Sequence, residues 1–321
     1  MIKIQTDLPP KRRRGERRLK AVAVLPSLAT LGNLVCGFGA VYMCVLSADS
    51  QGGDLPRATL NSPRIETWFP TYVTIGAYLI FLAMFFDVLD GRLARLTRKT
   101  SDFGAQLDSL ADVVSFGLAP ALLVLCVARP PGGVAELTAW ERALWRADWI
   151  MMAVYVCCAA VRLARFNVES VKDESGHKYF KGLPSPGAAA AVISVVILHQ
   201  DILRQGGDGQ HWLSDWVVRL APPLTLVVGL MMVSRVRYPH MINTFLRGRR
   251  PLSHVLAILA AILVLTVLAG IQWTLVVLSC GYALAGLGVD AWRRLTGAPP
   301  PPSASMRVPA EDAATTPSAL R

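Results

Sequence analysis

Charge is scarce in this chain. Asp, Glu, Lys and Arg make up only 17% of its 321 residues, against 53% hydrophobic. A soluble domain carries about 25% charged residues, so this balance excludes an ordinary soluble enzyme. No polar stretch between the apolar segments is long enough to fold as a separate soluble domain, and no fixed-period repeat suggests a solenoid. The six cysteines (Cys36, Cys44, Cys126, Cys157, Cys158, Cys280) all fall in apolar segments. Their spacing fits neither a zinc site nor a disulfide framework, so they read as small packing residues. His177, a loop histidine without a partner at metal-ligand spacing, is assigned no role.

What the chain does have is apolar runs of spanning length. Eight are visible, at 21–47, 70–90, 105–128, 149–168, 186–203, 216–234, 253–270 and 271–291. They imply an all-α integral membrane protein, a bundle of about eight transmembrane helices. The last two are joined by almost nothing near Gly270-Ile271-Gln272 and read as either a tight helical hairpin or a re-entrant pair. A basic arm (1–20) precedes the membrane domain (21–240). The C-terminal helix pair (241–296) is followed by a Pro-rich tail (297–321) that cannot bury a core. The first apolar run is too long for a signal peptide and lacks a small-residue cleavage site, so it is expected to stay as a helix.

The net charge of +11 invites a nucleic-acid reading, but its distribution argues otherwise. With the N-terminus in the cytoplasm, only Arg57, Arg64, Arg129, Arg142, Arg146, Arg204 and Arg219 of the 33 Lys and Arg residues face outward. That is a positive-inside asymmetry. The run Lys11-Arg12-Arg13-Arg14-Gly15-Glu16-Arg17-Arg18 then fixes topology and meets anionic lipid. No aromatic interleaving accompanies it, and nucleic acid is not an expected partner.

Four aspartates interrupt the apolar sequence at fixed spacing: Asp87, Asp90, Asp108 and Asp112. The first pair is i, i+3 and the second i, i+4, so each lies on one helical face. One Asp at the centre of a membrane helix costs about 2.5–3.5 kcal/mol. Four that converge would repel one another unless protonated or bridged by cations. A site for a hard divalent cation resolves both difficulties. Pairing with Arg92, Arg95, Arg98 and Lys99 is the plainer alternative, but it gives no reason for Gly91, Ala94 and Gly104. An ion-coupled transporter with the four acids along its path is a rival of another class; no internal inverted repeat supports it.

The whole pattern, Asp-x2-Asp-Gly-x2-Ala-Arg-x8-Gly-x3-Asp-x3-Asp, resembles the signature of the CDP-alcohol phosphotransferase family at every fixed position. Outside it, Leu25 to Phe38, Leu107 to Gly117, Arg162-Leu163-Ala164-Arg165-Phe166-Asn167 and Phe180 to Pro186 are similar to the phosphatidylserine synthase branch. Ser27 is a departure, where the family often carries Asn. The resemblance covers about residues 20–240 and implies a six-helix core to which the C-terminal pair is added. It implies Mg²⁺ or Mn²⁺, two ions, held by Asp87, Asp90 and Asp108, with Asp112 both a metal neighbour and general base. The implied substrates are CDP-diacylglycerol and L-serine, with other alcohols (glycerol 3-phosphate, choline, inositol phosphate) as the nearest alternative. A homodimer is also implied; the bacterial inner membrane is the expected setting, and the charge asymmetry puts the four aspartates near the cytoplasmic end of two adjacent antiparallel helices.

Gly91, Ala94 and Gly104 are expected to let CDP-diacylglycerol approach the backbone, and Arg95 to clamp its phosphates. Small residues also serve helix packing in membranes, which is the competing explanation. Arg162, Arg165 and Lys181 are candidates for acceptor or phosphate contacts; the arginines could equally snorkel to lipid. The prolines of Phe180 to Pro186, and Tyr238-Pro239, read as loop punctuation.

Overall fold

The computed structural model describes residues 14–49, 71–97, 102–130, 136–172, 179–205, 211–234, 236–239 and 252–296. The chain runs through α1 (Arg14–Asp49), α2 (Tyr72–Thr97) and α3 (Asp102–Asp112), then a π-helical segment (Val113–Leu118) and α4 (Ala119–Ala128). Next come α5 (Ala139–Lys172), β1 (Tyr179–Lys181), α6 (Ser185–Gln205), α7 (His211–Val233), β2 (Arg237–Pro239) and α8 (Leu252–Thr296). Residues 98–101 and the tail from Gly297 lie outside the described residues.

Seven helices among the described residues are long and apolar enough to cross a membrane. The last of them, within α8, carries the break expected near Gly270, whose φ of 84° and ψ of 161° are non-helical. Only glycine adopts that region readily. At 1.5 Å per residue an unbroken 45-residue helix would measure roughly twice the bilayer core. The break makes it two helices, in keeping with a bundle of about eight segments.

The bundle is organised inside out. Along α1 the exposed side chains are Leu28, Leu31, Val35, Phe38, Tyr42 and Val45, while Ala29, Thr30, Asn33, Cys36, Ala40, Cys44 and Ser47 are buried. The exposed set recurs every three or four residues, so one large apolar stripe faces lipid and the small and polar residues face protein. Close approach needs those small residues. A Cβ on Gly37 would fall 2.2 Å from Ser115 Oγ, and one on Gly76 3.0 Å from Leu123 Cδ2. Helix α6 is the central element: 72% of its spanning stretch is buried, against 6% for that of α8. Its Ala188, Ala189, Ala191, Val192, Ile193, Val196 and Ile197 join Phe116, Leu123, Tyr155 and Met232 in the core.

Three features differ from the sequence expectation. Helix α1 begins at Arg14, within the stretch assigned to the basic arm. Helix α5 begins at Ala139, ten residues before its apolar run, because Thr138 and Glu141 form a capping box. Thr138 N donates to Glu141 Oε2 (2.9 Å) and Glu141 N to Thr138 Oγ1 (3.3 Å).

The third lies in the stretches expected as loop punctuation. Tyr179–Lys181 pairs antiparallel with Arg237–Pro239, Phe180 opposite Tyr238 and Lys181 opposite Arg237. Gly182 follows at φ 86°, its N–H donating to Val236 O (2.7 Å), and a Cβ there would meet Met232 O at 2.2 Å. The pairing clips the start of α6 to the end of α7.

Candidate active site

The site is assembled where α2 ends and α3 begins. Asp87 and Asp90, one turn apart on α2, face Asp108 on α3. One carboxylate oxygen from each lies within 4.8 Å of the others. Asp90 is buried, and Asp108 Oδ1 is buried with no hydrogen-bond partner among the described residues. Asp112, one turn further along α3, is also buried but lies outside that three-carboxylate group. The four therefore converge as three plus one.

Helix α1 supplies two partners that the sequence reading did not assign. Thr30 Oγ1 donates to Asp90 Oδ2 (3.0 Å), and Asn33 Nδ2 donates to Asp112 Oδ1 (3.0 Å). Both donors are buried, three residues apart on one face of α1. Their sequence signal is two polar residues at i, i+3 in the apolar part of α1, within the Leu25 to Phe38 stretch that carries the resemblance. Asn33 is itself fixed, because Ser115 Oγ donates to its backbone carbonyl (3.0 Å).

Ser115 belongs to the π-helical segment that begins immediately after Asp112. A π segment widens the helix and shifts its hydrogen-bond register, and such segments are frequent at functional sites. Here the buried Tyr155 hydroxyl donates to Phe116 O within it (2.9 Å).

The small residues divide into two kinds. Among the described residues a Cβ placed on Gly91 meets nothing within 4 Å, whereas one on Gly37 or Gly76 meets protein at once. Gly91 thus borders open space beside Asp90 among the described residues. Ala94 and Arg95 lie on α2 one turn beyond Gly91, and Gly104 in the first turn of α3. The side chains of Ala94 and Arg95, like that of Lys181 on β1, lie outside the described residues. Arg92 is exposed while Asp90 is buried and bonded to Thr30, which does not favour the salt-bridge explanation.

Arg162 is drawn to the same region from α5. Its NH1 donates to Ser185 Oγ at the start of α6 (2.8 Å), and its Nε is buried with no partner among the described residues. Asp87 and Asp112 both lie within its electrostatic reach. Arg165 is one turn further along α5 and partly buried. Asn167 Nδ2 donates to Ser109 Oγ (2.8 Å), tying the end of α5 to α3. The arrangement can hold a cation among three carboxylates, hold a fourth carboxylate beside it, and offer a guanidinium to an anion.

The sequence profile of CDP-alcohol phosphatidyltransferases matches residues 23–230, well over half of the chain. The chain belongs to the CDP-alcohol phosphatidyltransferase family. Similar proteins of this family bear the name CDP-diacylglycerol–serine O-phosphatidyltransferase. That of Helicobacter pylori is 34% identical over 166 residues, 52% of this chain and 61% of the relative. That of Mycobacterium tuberculosis is 33% identical over 193 residues, 58% and 60% respectively. That of Saccharomyces cerevisiae is 40% identical over 131 residues, 39% and 42%. The chain thus spans about three fifths of the length of the bacterial relatives and less of the yeast one.

CDP-alcohol phosphatidyltransferases generally use divalent metal ions, and this site fits one. Three close carboxylates are hard oxygen donors of the kind Mg²⁺ and Mn²⁺ take. A buried Asp108 oxygen without a donor among the described residues is free to ligate a metal ion.

Proposed function

We propose that this family member transfers the phosphatidyl group of CDP-diacylglycerol to the hydroxyl of L-serine, giving phosphatidylserine and CMP. The observation that carries the transfer chemistry is the convergence of Asp87, Asp90 and Asp108 within 4.8 Å, with Asp112 held apart by Asn33. The choice of serine is supported by the names of the relatives and by the part-buried Arg162 guanidinium within electrostatic reach of Asp87 and Asp112.

Asp87, Asp90 and Asp108 would hold divalent metal, two ions in our reading, with Asp112 beside them. Bound metal would neutralise the pyrophosphate and polarise the phosphorus under attack. The open space at Gly91, with Ala94 and Gly104, admits the nucleotide, and Arg95 clamps a phosphate. Asp112, oriented by Asn33, takes the proton of the serine hydroxyl. The hydroxyl oxygen forms a bond to the lipid-side phosphorus as the bond from that phosphorus to the CMP oxygen breaks. No protein nucleophile is required, and positioning with charge neutralisation supplies the rate.

Arg162 receives the serine carboxylate, with Arg165 and Lys181 as further phosphate or carboxylate contacts. A charge-assisted pair of this kind contributes about 1.5–3 kcal/mol. The positive-inside asymmetry supports a site at the cytoplasmic face, where nucleotide and serine arrive from water while the acyl chains stay in lipid; the bacterial inner-membrane setting is part of this proposal through the family resemblance. The homodimer is part of this proposal through the family resemblance alone.

The test is purified protein with CDP-diacylglycerol, Mg²⁺ or Mn²⁺, and serine, serine methyl ester, glycerol 3-phosphate, choline or inositol phosphate, following CMP release and lipid product. Turnover with serine, weak use of its methyl ester and little use of the rest are expected. Preference for another alcohol would keep the transferase chemistry and discard serine. Flux across vesicles without CMP release would favour the transporter.

A further inference from the structure

We infer that α8, which lies beyond the stretch matched by the family profile, completes the acceptor end of the site by supplying Tyr282 as the residue that positions Arg162. This rests on the reading of Arg162 as the carboxylate contact.

Helix α8 is largely exposed, yet one line of its side chains is tied to α6. Ser279 Oγ and Ser194 Oγ lie 2.8 Å apart, Cys280 Sγ is 3.9 Å from Ala191 O, and Gln272 Nε2 donates to Asp201 Oδ1 (3.3 Å). Ala283 is buried, and so is Thr274. These contacts fix both the rotation of α8 and its height along α6, and so determine where Tyr282 points.

Tyr282 reaches the first turn of α6. A Cβ on Gly187 would sit 3.0 Å from Tyr282 Cε1, tighter than an ordinary contact, so the ring occupies the space that Gly187 leaves. Two residues earlier on that turn, Ser185 Oγ accepts from Arg162 NH1 at 2.8 Å. Tyr282 and Arg162 are within electrostatic reach of each other, and Arg162 is in turn within reach of Asp87 and Asp112. The guanidinium is therefore bonded to Ser185 at the turn where Tyr282 packs, with Tyr282, Asp87 and Asp112 all within its electrostatic reach.

A small alcohol bearing a carboxylate, approaching four aspartates, needs a cation held at a fixed place. Arginine has several rotatable bonds, and a guanidinium already restrained by its neighbours loses less freedom when the anion arrives. The phenol also limits the size of acceptor that can lie against Arg162. On this account the helix outside the family core carries part of the acceptor selectivity.

The test compares Tyr282→Phe, Tyr282→Ala and Arg162→Ala in the full chain, in liposomes with CDP-diacylglycerol and divalent metal. Tyr282→Phe keeps the ring packed against Gly187 and removes only the hydroxyl. It should raise the KM for serine about fivefold or more, with the KM for CDP-diacylglycerol within about twofold of the unchanged protein. Tyr282→Ala should add a loss of discrimination against bulkier amino alcohols. A merely structural Tyr282 would lower the yield of folded protein or kcat without this split in KM. A raised serine KM in Arg162→Ala with an unchanged one in both Tyr282 variants would overturn the Tyr282 assignment alone. An unchanged serine KM in Arg162→Ala would overturn both it and the carboxylate contact on which it rests.

Discussion

Asn33 of α1 holds the Asp112 carboxylate across 79 residues of sequence, its side-chain amide donating at 3.0 Å. Asp112 is thereby fixed from outside its own helix, while Ser115, three residues on, fixes Asn33 through its carbonyl. A general base needs a defined orientation more than it needs strength. Replacing Asn33 by Ala removes a hydrogen bond to a charged group, about 1.5–3 kcal/mol. CMP release should slow about ten- to hundredfold, with the KM for CDP-diacylglycerol nearly unchanged. Steady-state kinetics in detergent or liposomes reads this directly. An unaltered kcat would show that Asp112 does not depend on Asn33.

Two glycines give opposite expectations. Gly91 borders open space, so Gly91→Ala should leave thermal stability as it is and raise the KM for CDP-diacylglycerol. Gly37 is pressed against Ser115, with Ser115 Cα 2.9 Å from the added Cβ, so Gly37→Ala should lower the melting temperature. Thermal unfolding beside kinetics separates the two. A destabilised Gly91→Ala with normal lipid kinetics would return Gly91 to helix packing.

Sidedness is open to direct mapping. Cysteine or tag accessibility should place residues 1–20, 98–101 and 240–250 on the cytoplasmic side and 50–68 and 205–212 opposite, following the distribution of Lys and Arg. Exposure of residues 98–101 on the outer side would overturn the proposed route of nucleotide entry.

The spans and the aspartates were legible for physical reasons. Apolar runs of about twenty residues have few other uses, and four acids in such runs demand compensation. The break at Gly270 was legible because two apolar stretches too long for one crossing met at a glycine. Asn33 and Thr30 were in view as polar residues on α1, yet nothing local named partners 79 and 60 residues away. The π-helical register after Asp112 leaves no trace in hydropathy, since Val113 to Leu118 reads as ordinary apolar helix. The β1–β2 clip was missed because three-residue strands lie below any periodicity, and only the positive φ of Gly182 marks the place. The extension of α5 to Ala139 was readable in principle from Thr138 and Glu141, a capping box whose polar turn lies outside the apolar run.

The central claim is that the aspartate group carries metal-dependent phosphatidyl transfer to serine. The most direct measurement follows CMP and phosphatidylserine together, from CDP-diacylglycerol and labelled serine, in the unchanged protein, after EDTA treatment, and in Asp87→Asn, Asp90→Asn, Asp108→Asn and Asp112→Asn. The account predicts equal amounts of the two products, loss of both with EDTA, recovery with Mg²⁺ or Mn²⁺, and no product from any of the four folded variants. Full turnover in metal-free protein, or in any one of the four variants, would contradict it.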